Sequence, residues 1–459
     1  MFGGQPSRMT STAKRVTLLD CAVEHRTGRA RLEYQIDDVS HTIHAIFHDA
    51  PRLDPDTWRV CLEDLGLACL IDLATASLAR HLTATGLSTS NQASSWVSSA
   101  SRALRLECLA EGSLPLRYLN FDLHLSGHKA KQTRTYKPNR KRVLLLMGGG
   151  KDSLYSYQLL RSAGFEVECF YMTEGSRTWQ QLRRTYSALA KENVQHRAFL
   201  NANQMGRVEK RFRRDYATQF QIGQALFLSI PYALGRGCQY LAFGAERTAN
   251  IRTGFYRGIS MNHQHEKSES FLALLNQYLR IRFRGALEIF SPLYGLFDTG
   301  IYARFLSLSE GFLDLQSSCG GSNSYRRHCG RCEKCAFVAA LLAGLSGDRE
   351  ILHELFPINP LDDLSLFDDW YHGRFQKPRA CVGSLNELRV ALRLGRARGW
   401  NTPIHDYDRR YGSPPGVASL SHYLSTHDSR SIPRAISNRI APFLRFDPTP
   451  LTELFRTCS

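Results

Sequence analysis

Apolar and polar positions alternate along much of the first 126 residues. Residues 31–36 and 41–47 show this alternation, which predicts strands with one buried and one exposed face. Residues 57–87 carry the apolar spacing of a helix, and residues 115–124 predict a further strand. We therefore predict an N-terminal α+β domain over residues 1–126.

Residues 127–141 form a basic stretch without acidic residues, which we predict to be a linker. After this linker, strands and helices alternate. Residues 143–147 are continuously apolar, as in a parallel strand that is covered on both faces. After a glycine-rich turn, helices are predicted at 152–163, 179–191 and 220–234, and strands at 167–172 and 240–244. This alternation predicts a doubly wound parallel sheet with ligands at the carboxyl ends of its strands. We assign this domain to 142–345 and a C-terminal helical region to 346–459.

The chain has 459 residues, of which 43% are hydrophobic and 22% are charged. These proportions are ordinary for a globular protein and exclude wholesale disorder. No apolar run approaches the ~18 residues that a membrane span requires, and the first residues lack the apolar core of a signal peptide. We expect a soluble, cytoplasmic protein. The net charge of +17 predicts anionic partners, although a general abundance of arginine explains it equally well.

Four of the twelve cysteines lie within one short segment: Cys319, Cys329, Cys332 and Cys335. Two steps of the form Cys-x2-Cys allow four thiolates to close a tetrahedron around zinc. Since all four positions are thiolates, no position remains for water, and we predict a structural zinc ion. An iron–sulfur cluster and four unligated thiols are the alternatives. The neighbouring His328 is an alternative ligand, but we expect it to lie at the surface.

The turn after the first continuous apolar strand is Gly148-Gly149-Gly150-Lys151-Asp152-Ser153. Glycines let backbone N–H groups approach phosphate oxygens, and the helix that follows adds its positive N-terminal end. Lys151 can supply a charge, Ser153 a hydroxyl, and Asp152 a contact to magnesium. The spacing differs from that of the Walker loop and from the dinucleotide pattern G-x-G-x-x-G. A glycine-rich turn that binds no ligand is the alternative.

This strand–loop–helix unit resembles the loop of the PP-loop ATP pyrophosphatases, whose usual form is SGGxDS. Gly148 stands here in place of the first serine of that motif. The resemblance implies that residues 148–153 bind ATP with Mg²⁺, and that ATP is cleaved to AMP and pyrophosphate. Together with CGxCxxC at 329–335, the loop also resembles the cyano-deazaguanine synthases of queuosine biosynthesis, which are much shorter than this chain.

Two groups of polar residues lie between the loop and the cysteines. The first contains Glu246, Arg247 and Asn250, and the second contains Asn262, His263, His265 and Lys267. Side chains of these kinds, placed close together, suit the binding of a polar, acidic substrate and the transfer of a proton. A polar loop with solvated side chains is the alternative.

These groups, GxERxAN and NHQxxKS, resemble the MurL family when taken with Ser291-Pro-Leu-Tyr, the segment CGRCEKCAFV and residues 377–383. That family is the UDP-N-acetylmuramoyl-L-alanyl-L-glutamate epimerase, and the resemblance runs in order over residues 143–397. It implies an isomerase of peptidoglycan precursor synthesis that uses ATP and magnesium to invert a terminal L-Glu to D-Glu through an acyl-adenylate. The first 126 residues match loosely and the last sixty hardly at all.

The chemistry of this reaction suggests roles for the polar residues. A free carboxylate resists loss of the Cα proton, whereas the mixed anhydride formed by adenylation accepts the charge. His263 and His265 are the first candidates for the base, because an imidazole titrates near neutral pH, and Glu246 and Lys267 are the next. The predicted substrate-binding residues are Arg247, Asn250 and Asn262.

Two other classes of protein are consistent with the sequence. An adenylating ligase or amidating enzyme, related to the cyano-deazaguanine synthases, would use the same loop. A nucleic-acid-binding protein with a degenerate loop would explain the charge of +17, and its binding would weaken steeply with salt. The epimerase requires no nucleic acid, since its implied partner is a small-molecule UDP-muramoyl dipeptide that is itself strongly anionic.

Overall fold

A computed structural model describes residues 12–87, 93–127, 136–201, 203–212, 220–308, 311–317, 319, 328–373, 382–411 and 416–457. The strands, in chain order, are β1 Arg15–Glu24, β2 Arg29–Ile36, β3 Val39–Phe47, β4 His81–Ala84, β5 Asp122–Leu125, β6 Asn139–Leu146, β7 Glu166–Thr173, β8 Gln195–Leu200, β9 Cys238–Ala242, β10 Gly254–Tyr256, β11 Ile259–Met261 and β12 Glu288–Phe290. The helices are α1 Pro55–Ser77, α2 Ala93–Glu111, α3 Lys151–Ser162, α4 Ser176–Leu189, α5 Asn203–Arg211, α6 Gln221–Arg236, α7 Glu269–Arg282, α8 Asp298–Phe305, α9 Gly311–Leu315, α10 Glu333–Leu345, α11 Ile351–Leu355, α12 Asp368–Tyr371, α13 Leu385–Ala397, α14 Pro403–Tyr411, α15 Val417–Leu424, α16 Arg434–Ile440 and α17 Thr449–Arg456.

Ten strands form one sheet in the order β12-β9-β6-β7-β8-β3-β2-β1-β4-β5, and β10 pairs with β11 in a separate hairpin. The five strands from β12 to β8 are parallel to one another. Along the chain, β6 is followed by β7 and β8 on one side and then by β9 and β12 on the other. The predicted parallel sheet is therefore confirmed for these five strands, and the strand order reverses between β6 and β9.

The N-terminal strands continue the same sheet. Residues 45–47 of β3 pair antiparallel with residues 198–200 of β8, and β2 and β1 follow outward in antiparallel order. Mixed α/β structure in the first 126 residues is thus confirmed, while the domain boundaries stay a prediction. The strand β6 begins at Asn139, inside the predicted linker, and residues 128–135 of that linker lie outside the described part of the chain.

The predicted helix over residues 57–87 is too long. The helix α1 ends at Ser77, and the chain then forms β4. Leu78 ends the helix in the left-handed conformation, with φ 45°, and its side chain is buried in a cluster that includes Leu109 and Met261. The left-handed conformation is usually adopted by glycine, and here burial of the leucine side chain offsets its energetic cost. Residues 115–124 were predicted as a strand, but a short 3-10 helix precedes β5 there.

Helices pack on the sheet and on one another around a continuous apolar core. Every residue of α1 from Thr57 to Ser77 is buried except Arg59, so this helix has no wide polar face. The helix α10 is buried from Cys335 to its end and packs against α13, which joins the cysteine segment to the C-terminal helices. Among the described helices, none is both long and apolar enough to cross a bilayer.

Candidate active site

A cavity of about 340 Å³, here called the main cavity, opens where β6 and β9 end. These are the strands between which the order of the sheet reverses, and doubly wound folds bind their ligands at that position. Its walls include the ends of β6, β7 and β9, the glycine-rich turn, the start of α6 and the segment before the cysteines. Its charged lining residues are Asp152, Lys267 and Lys334.

The glycine-rich turn, which the sequence predicts to bind phosphate, lies at this cavity. Gly149 has φ +72°, a backbone conformation that residues other than glycine rarely adopt. Its carbonyl accepts a hydrogen bond from the backbone N–H of Ser317 at 2.8 Å. Gly150 is extended and precedes the twelve-residue helix α3. The Ser153 hydroxyl donates to the Gly150 carbonyl at 3.0 Å. Hydrogen bonds thus hold both Gly149 and Gly150, and the N-terminus of α3 faces the cavity through Asp152 and Ser153.

The side chain of Lys151 is turned into the protein. Its Nζ lies 2.6 Å from Oδ1 of Asp152 and also contacts Oδ1 of Asp298, at the start of α8. Burial alone would lower the pKa of Lys151, but the carboxylates of Asp152 and Asp298 outweigh burial and raise it well above its usual value. Lys151 is therefore a charged group that fixes the loop from behind.

Three buried carboxyl groups lie near one another beside this lysine: Asp298 contacts it, and Glu246 and Glu387 act electrostatically on Asp298. All three are at most 4% exposed. Burial raises the pKa of Asp298 well above its usual range, the Lys151 charge opposes the rise, and Glu246 adds to it. Glu387 accepts a hydrogen bond from the Thr248 hydroxyl at 2.9 Å, and burial raises its pKa. The sequence analysis did not single out Asp298 or Glu387. The capping box Ser384-x-x-Glu387 is a local signal for the second of them.

The four candidate bases lie in different surroundings. Lys267 lines the main cavity. Glu246 is buried and accepts a hydrogen bond from Nε2 of Gln264 at 3.0 Å. His263 and His265 lie instead against a separate small cavity of about 10 Å³.

Each of the two imidazoles has a hydroxyl partner. Nδ1 of His263 lies 2.6 Å from the Thr253 hydroxyl, and Nε2 of His265 lies 2.9 Å from the Ser99 hydroxyl of α2. Burial lowers the pKa of His265, which keeps its imidazole neutral near pH 7. A neutral imidazole is able to accept a proton.

Glu266, beside Lys267, fixes this motif to the start of α6. Its carboxylate accepts hydrogen bonds from the backbone N–H groups of Ile222 at 3.1 Å and Gly223 at 3.2 Å, in the first turn of that helix. Burial raises the pKa of Glu266 to about 7. The carbonyl of Lys267 accepts a hydrogen bond from the Tyr294 hydroxyl at 2.7 Å. Two contacts therefore fix the position of Lys267 at the cavity: the contact of Glu266 with α6 and the hydrogen bond from Tyr294.

The three predicted substrate-binding residues are not all in one place. Arg247 and Asn250 line a second cavity, of about 540 Å³. Asn262 lies against the small cavity of the histidines, and its Nδ2 donates to the Ala249 carbonyl at 2.8 Å. Asn250 exchanges hydrogen bonds with Glu269, since its Oδ1 accepts from the Glu269 N–H at 2.8 Å and its Nδ2 donates to the Glu269 carboxylate at 3.2 Å.

The four cysteines meet beside the main cavity. Their sulfur atoms all lie within 4.8 Å of one another, with 4.0 Å between Cys319 and Cys332 and 3.8 Å between Cys329 and Cys335. A tetrahedron with metal–sulfur bonds of ~2.3 Å has edges of about 3.8 Å, so the cluster has the dimensions of a zinc site. Cys319 and Lys334 also line the main cavity.

The expectation that His328 lies at the surface is wrong. The residue is fully buried, and its ring lies 4.9 Å from the ring of Phe356, measured between centroids. Apolar packing between the cysteine segment and the chain that follows α11 explains this position. Cys381, which belongs to the last motif of the resemblance, lies outside the described residues.

The fold and site define a mixed α/β protein with a glycine-rich loop at the switch point of a parallel sheet and a four-cysteine cluster at the edge of its cavity. Two family models match the chain. The model of the MurL N-terminal domain matches residues 8–204, and the model of the MurL C-terminal domain matches residues 317–403. Together these matches cover more than half of the chain. The chain belongs to the MurL family.

Individual relatives agree with this assignment. The UDP-N-acetyl-alpha-D-muramoyl-L-alanyl-L-glutamate epimerase of Xanthomonas oryzae pv. oryzae is 26% identical over 262 residues, which are 55% of this chain and 56% of that protein. The protein of the same name from Salinispora tropica is 28% identical over 283 residues, 58% of each chain. The chain thus spans little more than half the length of these relatives. A 7-cyano-7-deazaguanine synthase of Chlorobium chlorochromatii is 24% identical over 208 residues, 42% of this chain and 88% of that protein.

Proposed function

We propose that this protein is an ATP-dependent epimerase that inverts the terminal L-Glu of UDP-muramoyl-L-Ala-L-Glu. The observation that carries the proposal is the main cavity, where the glycine-rich loop and Lys267 of the NHQxxKS motif face one space at the switch point of the sheet. The names of the two relatives supply the substrate. The boundaries of the domains and the cytoplasmic location remain predictions.

ATP is proposed to bind with its phosphates at residues 148–153. The backbone of the turn and the N-terminus of α3 supply N–H groups and positive potential, and the Asp152 carboxylate is placed to contact Mg²⁺ in the cavity. A carboxylate oxygen of the substrate glutamate attacks the α phosphorus, the bond to the bridging oxygen breaks, and pyrophosphate leaves. Lys334 and Lys267, both at the cavity, are suited to stabilise the phosphate charge.

Inversion then requires proton transfer at Cα of the acyl-adenylate. A base removes the proton, a proton returns on the opposite face, and water cleaves the anhydride to D-Glu and AMP. Lys267 is at the cavity, whereas use of His263 or His265 requires the small cavity to open towards it. We assign one of the two faces to Lys267, and we retain the neutral His265 as the candidate for the other.

A zinc ion held by Cys319, Cys329, Cys332 and Cys335 is proposed to have a structural role. The donor set fits zinc, because four thiolates at tetrahedral spacing close the coordination sphere. Such an ion would fix the segment that donates the Ser317 N–H to the glycine-rich turn. Elemental analysis of the purified protein tests this assignment, and iron with sulfide would contradict it.

The reaction is tested in heavy water. Incubation of the protein, ATP and Mg²⁺ with UDP-muramoyl-L-Ala-L-Glu should give D-Glu that carries deuterium at Cα, together with AMP and pyrophosphate. Omission of ATP should stop the exchange. The variant His265→Gln should impair inversion more than AMP formation, by ~10²–10⁴-fold for a general acid or base. Lys267→Gln should impair both steps, because Lys267 is proposed to serve the phosphates as well as one face of Cα.

Two outcomes would contradict the proposal in different ways. AMP formation while the glutamate stays L and unlabelled would favour an adenylating ligase, the alternative class that the cyano-deazaguanine synthase relative represents. Absence of both AMP and label would show that the substrate is wrong.

A further inference from the structure

The second cavity, of about 540 Å³, joins the GxERxAN motif to the C-terminal region. Arg247, Asn250 and Glu269 line one part of it, and Asp428, Ser429 and Arg430 line another. Residues 426–431, here called the C-terminal strap, lie beyond residue 403, where the match to the MurL C-terminal domain ends. The GxERxAN motif at 244–250 and the C-terminal strap both lie outside the residues that the two family models match, so the models assign neither side of this cavity.

The strap is closely packed on the body of the protein. The N–H of His427 donates to the Gly295 carbonyl at 2.8 Å, and Nη2 of Arg304 donates to the Thr426 hydroxyl at 3.2 Å. A Cβ atom at Gly295 would lie 2.5 Å from the carbonyl oxygen of His427, so the two backbones are in direct contact. The strap therefore has a defined position over this cavity.

Polar contacts also connect the strap to the motif. The Glu269 carboxylate accepts hydrogen bonds from Asn250 on the motif and from the Ser429 hydroxyl on the strap. Nη1 of Arg247 lies 3.4 Å from the carbonyl oxygen of Asp428, and its guanidinium lies 5.8 Å from the centre of the Phe297 ring. The lining contains two carboxylates, those of Glu269 and Asp428, and two guanidinium groups, those of Arg247 and the exposed Arg430. Both oxygens of Glu269 accept hydrogen bonds within the protein, and the two guanidinium groups are the ones that suit an incoming anion.

The two cavities have lining residues that are close together in the chain. Gly244 lines the main cavity and Arg247 lines the second one, so their Cα atoms are at most ~11 Å apart. In the proposed substrate, the diphosphate joins the uridine to the muramoyl sugar, and the reacting glutamate stands at the far end of the dipeptide. The two amino acids between the sugar and that end extend over ~7 Å. A substrate that reacts in the main cavity needs an anchor for its diphosphate at a second place.

We propose that the second cavity binds the diphosphate of a nucleoside-diphosphate-linked substrate, with Arg430 and Arg247 as its ligands. This inference rests on the proposed function for the identity of the whole substrate. The planar guanidinium donates two parallel hydrogen bonds to phosphate oxygens, which a lysine does not do. Ser429 and Ser431 lie beside Arg430 at the cavity and offer hydroxyl donors.

Calorimetric titration with UDP tests the site without any turnover. The main cavity is first saturated with α,β-methylene-ATP, so that UDP cannot bind there. The native protein should then bind UDP, and Arg430→Met should weaken this binding about 10- to 100-fold, as expected for a lost charge-assisted hydrogen bond. Arg430→Lys should recover part of the affinity. Arg434→Met is the matched control, because Arg434 is exposed four residues further along and should leave the affinity unchanged.

Steady-state kinetics separate this inference from the proposed function. Arg430→Met should raise KM for UDP-muramoyl-L-Ala-L-Glu with little change in kcat, and should leave KM for the same dipeptide without UDP unchanged. An unaltered UDP affinity in Arg430→Met, or an equal loss in Arg434→Met, overturns the diphosphate site. If UDP binding depends on Arg430 while neither dipeptide reacts with the native protein, the site stands and the proposed epimerase fails.

Discussion

Substitution of Gly244 by alanine should damage the main cavity without replacing any of its charged residues. Gly244 follows β9 and faces the start of α3, where a Cβ atom would lie 2.7 Å from Cβ of Asp152 and 2.8 Å from its carbonyl carbon. Ordinary contacts between carbon atoms are ~3.5–4.0 Å. The end of β9 and the start of α3 must therefore separate by about 0.7–1 Å.

The size of the effect follows from this displacement. Overpacking of this kind costs ~1–3 kcal/mol of folding free energy, because the new Cβ would clash with backbone atoms of Asp152 that cannot rotate away. A misplacement of ~1 Å in a catalytic site costs about 10²-fold in rate. Because Asp152 lines the cavity, we expect Gly244→Ala to lower kcat/KM for ATP about 100-fold and to lower the melting temperature.

Pyrophosphate release and thermal unfolding measure the two effects. Gly206→Ala is the control, because Gly206 lies inside α5 and a Cβ atom there would meet no described atom within 4 Å. Alanine should stabilise that helix by ~0.5–1 kcal/mol and leave pyrophosphate release unchanged. Native activity and an unchanged melting temperature in Gly244→Ala would refute the close approach of β9 and α3.

Three further predictions concern the loop and the motif beside it. Gly148→Ser, which restores the usual SGGxDS motif, should change stability by less than ~0.5 kcal/mol and alter KM for ATP, because a Cβ atom at this exposed glycine meets no described atom within 4 Å. Lys151→Ala should cost ~3–5 kcal/mol in denaturant unfolding, since it leaves Asp298 buried without its cation, and Asp298→Asn in the same chain should recover much of the loss. Since burial raises the pKa of Glu266 to about 7, its contribution to stability is present below pH ~4.5 and is lost as the pH rises through 7. Glu266→Gln should remove this dependence, which amounts to at most ~3 kcal/mol because the residue is partly exposed.

Each of these predictions has a clear contrary result. A large loss of stability in Gly148→Ser would mean that the turn has no room for a side chain. Equal destabilisation by Lys151→Ala with and without Asp298→Asn would remove the buried ion pair as its cause. Stability that rises between pH 5 and 8 in the native protein, with the same profile in Glu266→Gln, would exclude the carboxyl group as the source.

The glycine-rich loop and the four cysteines were predictable because their signals are local. Residues 148–153 follow one another along the chain, and three of the four cysteines fall within seven residues. In such segments the spacing fixes which atoms can meet, whatever the rest of the fold does. The parallel sheet was predictable for a related reason, since continuous apolar strands that alternate with helices have few other arrangements.

Other features depend on partners that are distant in the sequence. Lys151 was expected to face phosphate, but Asp298 at the start of α8 holds it inside the protein. The end of α1 has no glycine to mark it in the sequence. Leu78 takes the left-handed conformation there, and its burial in the tertiary structure offsets the cost. His328 lies beside cysteines and was expected in solvent, yet Phe356 covers it. Local spacing gives no information on such contacts.

The position of α6 shows that the N-terminal half of the chain shapes the cavity. Asp72 of α1 accepts a hydrogen bond from the N–H of Phe220 at 2.7 Å and one from Nε2 of Gln224 at 2.5 Å, and so fixes the first turn of α6 from behind. Gln221 in the same turn lines the main cavity. The hydroxyl of Ser99 in α2 likewise holds His265. Since β3 also pairs with β8, the N-terminal half is part of the scaffold that positions the site, and changes buried in α1 should affect nucleotide use as well as stability.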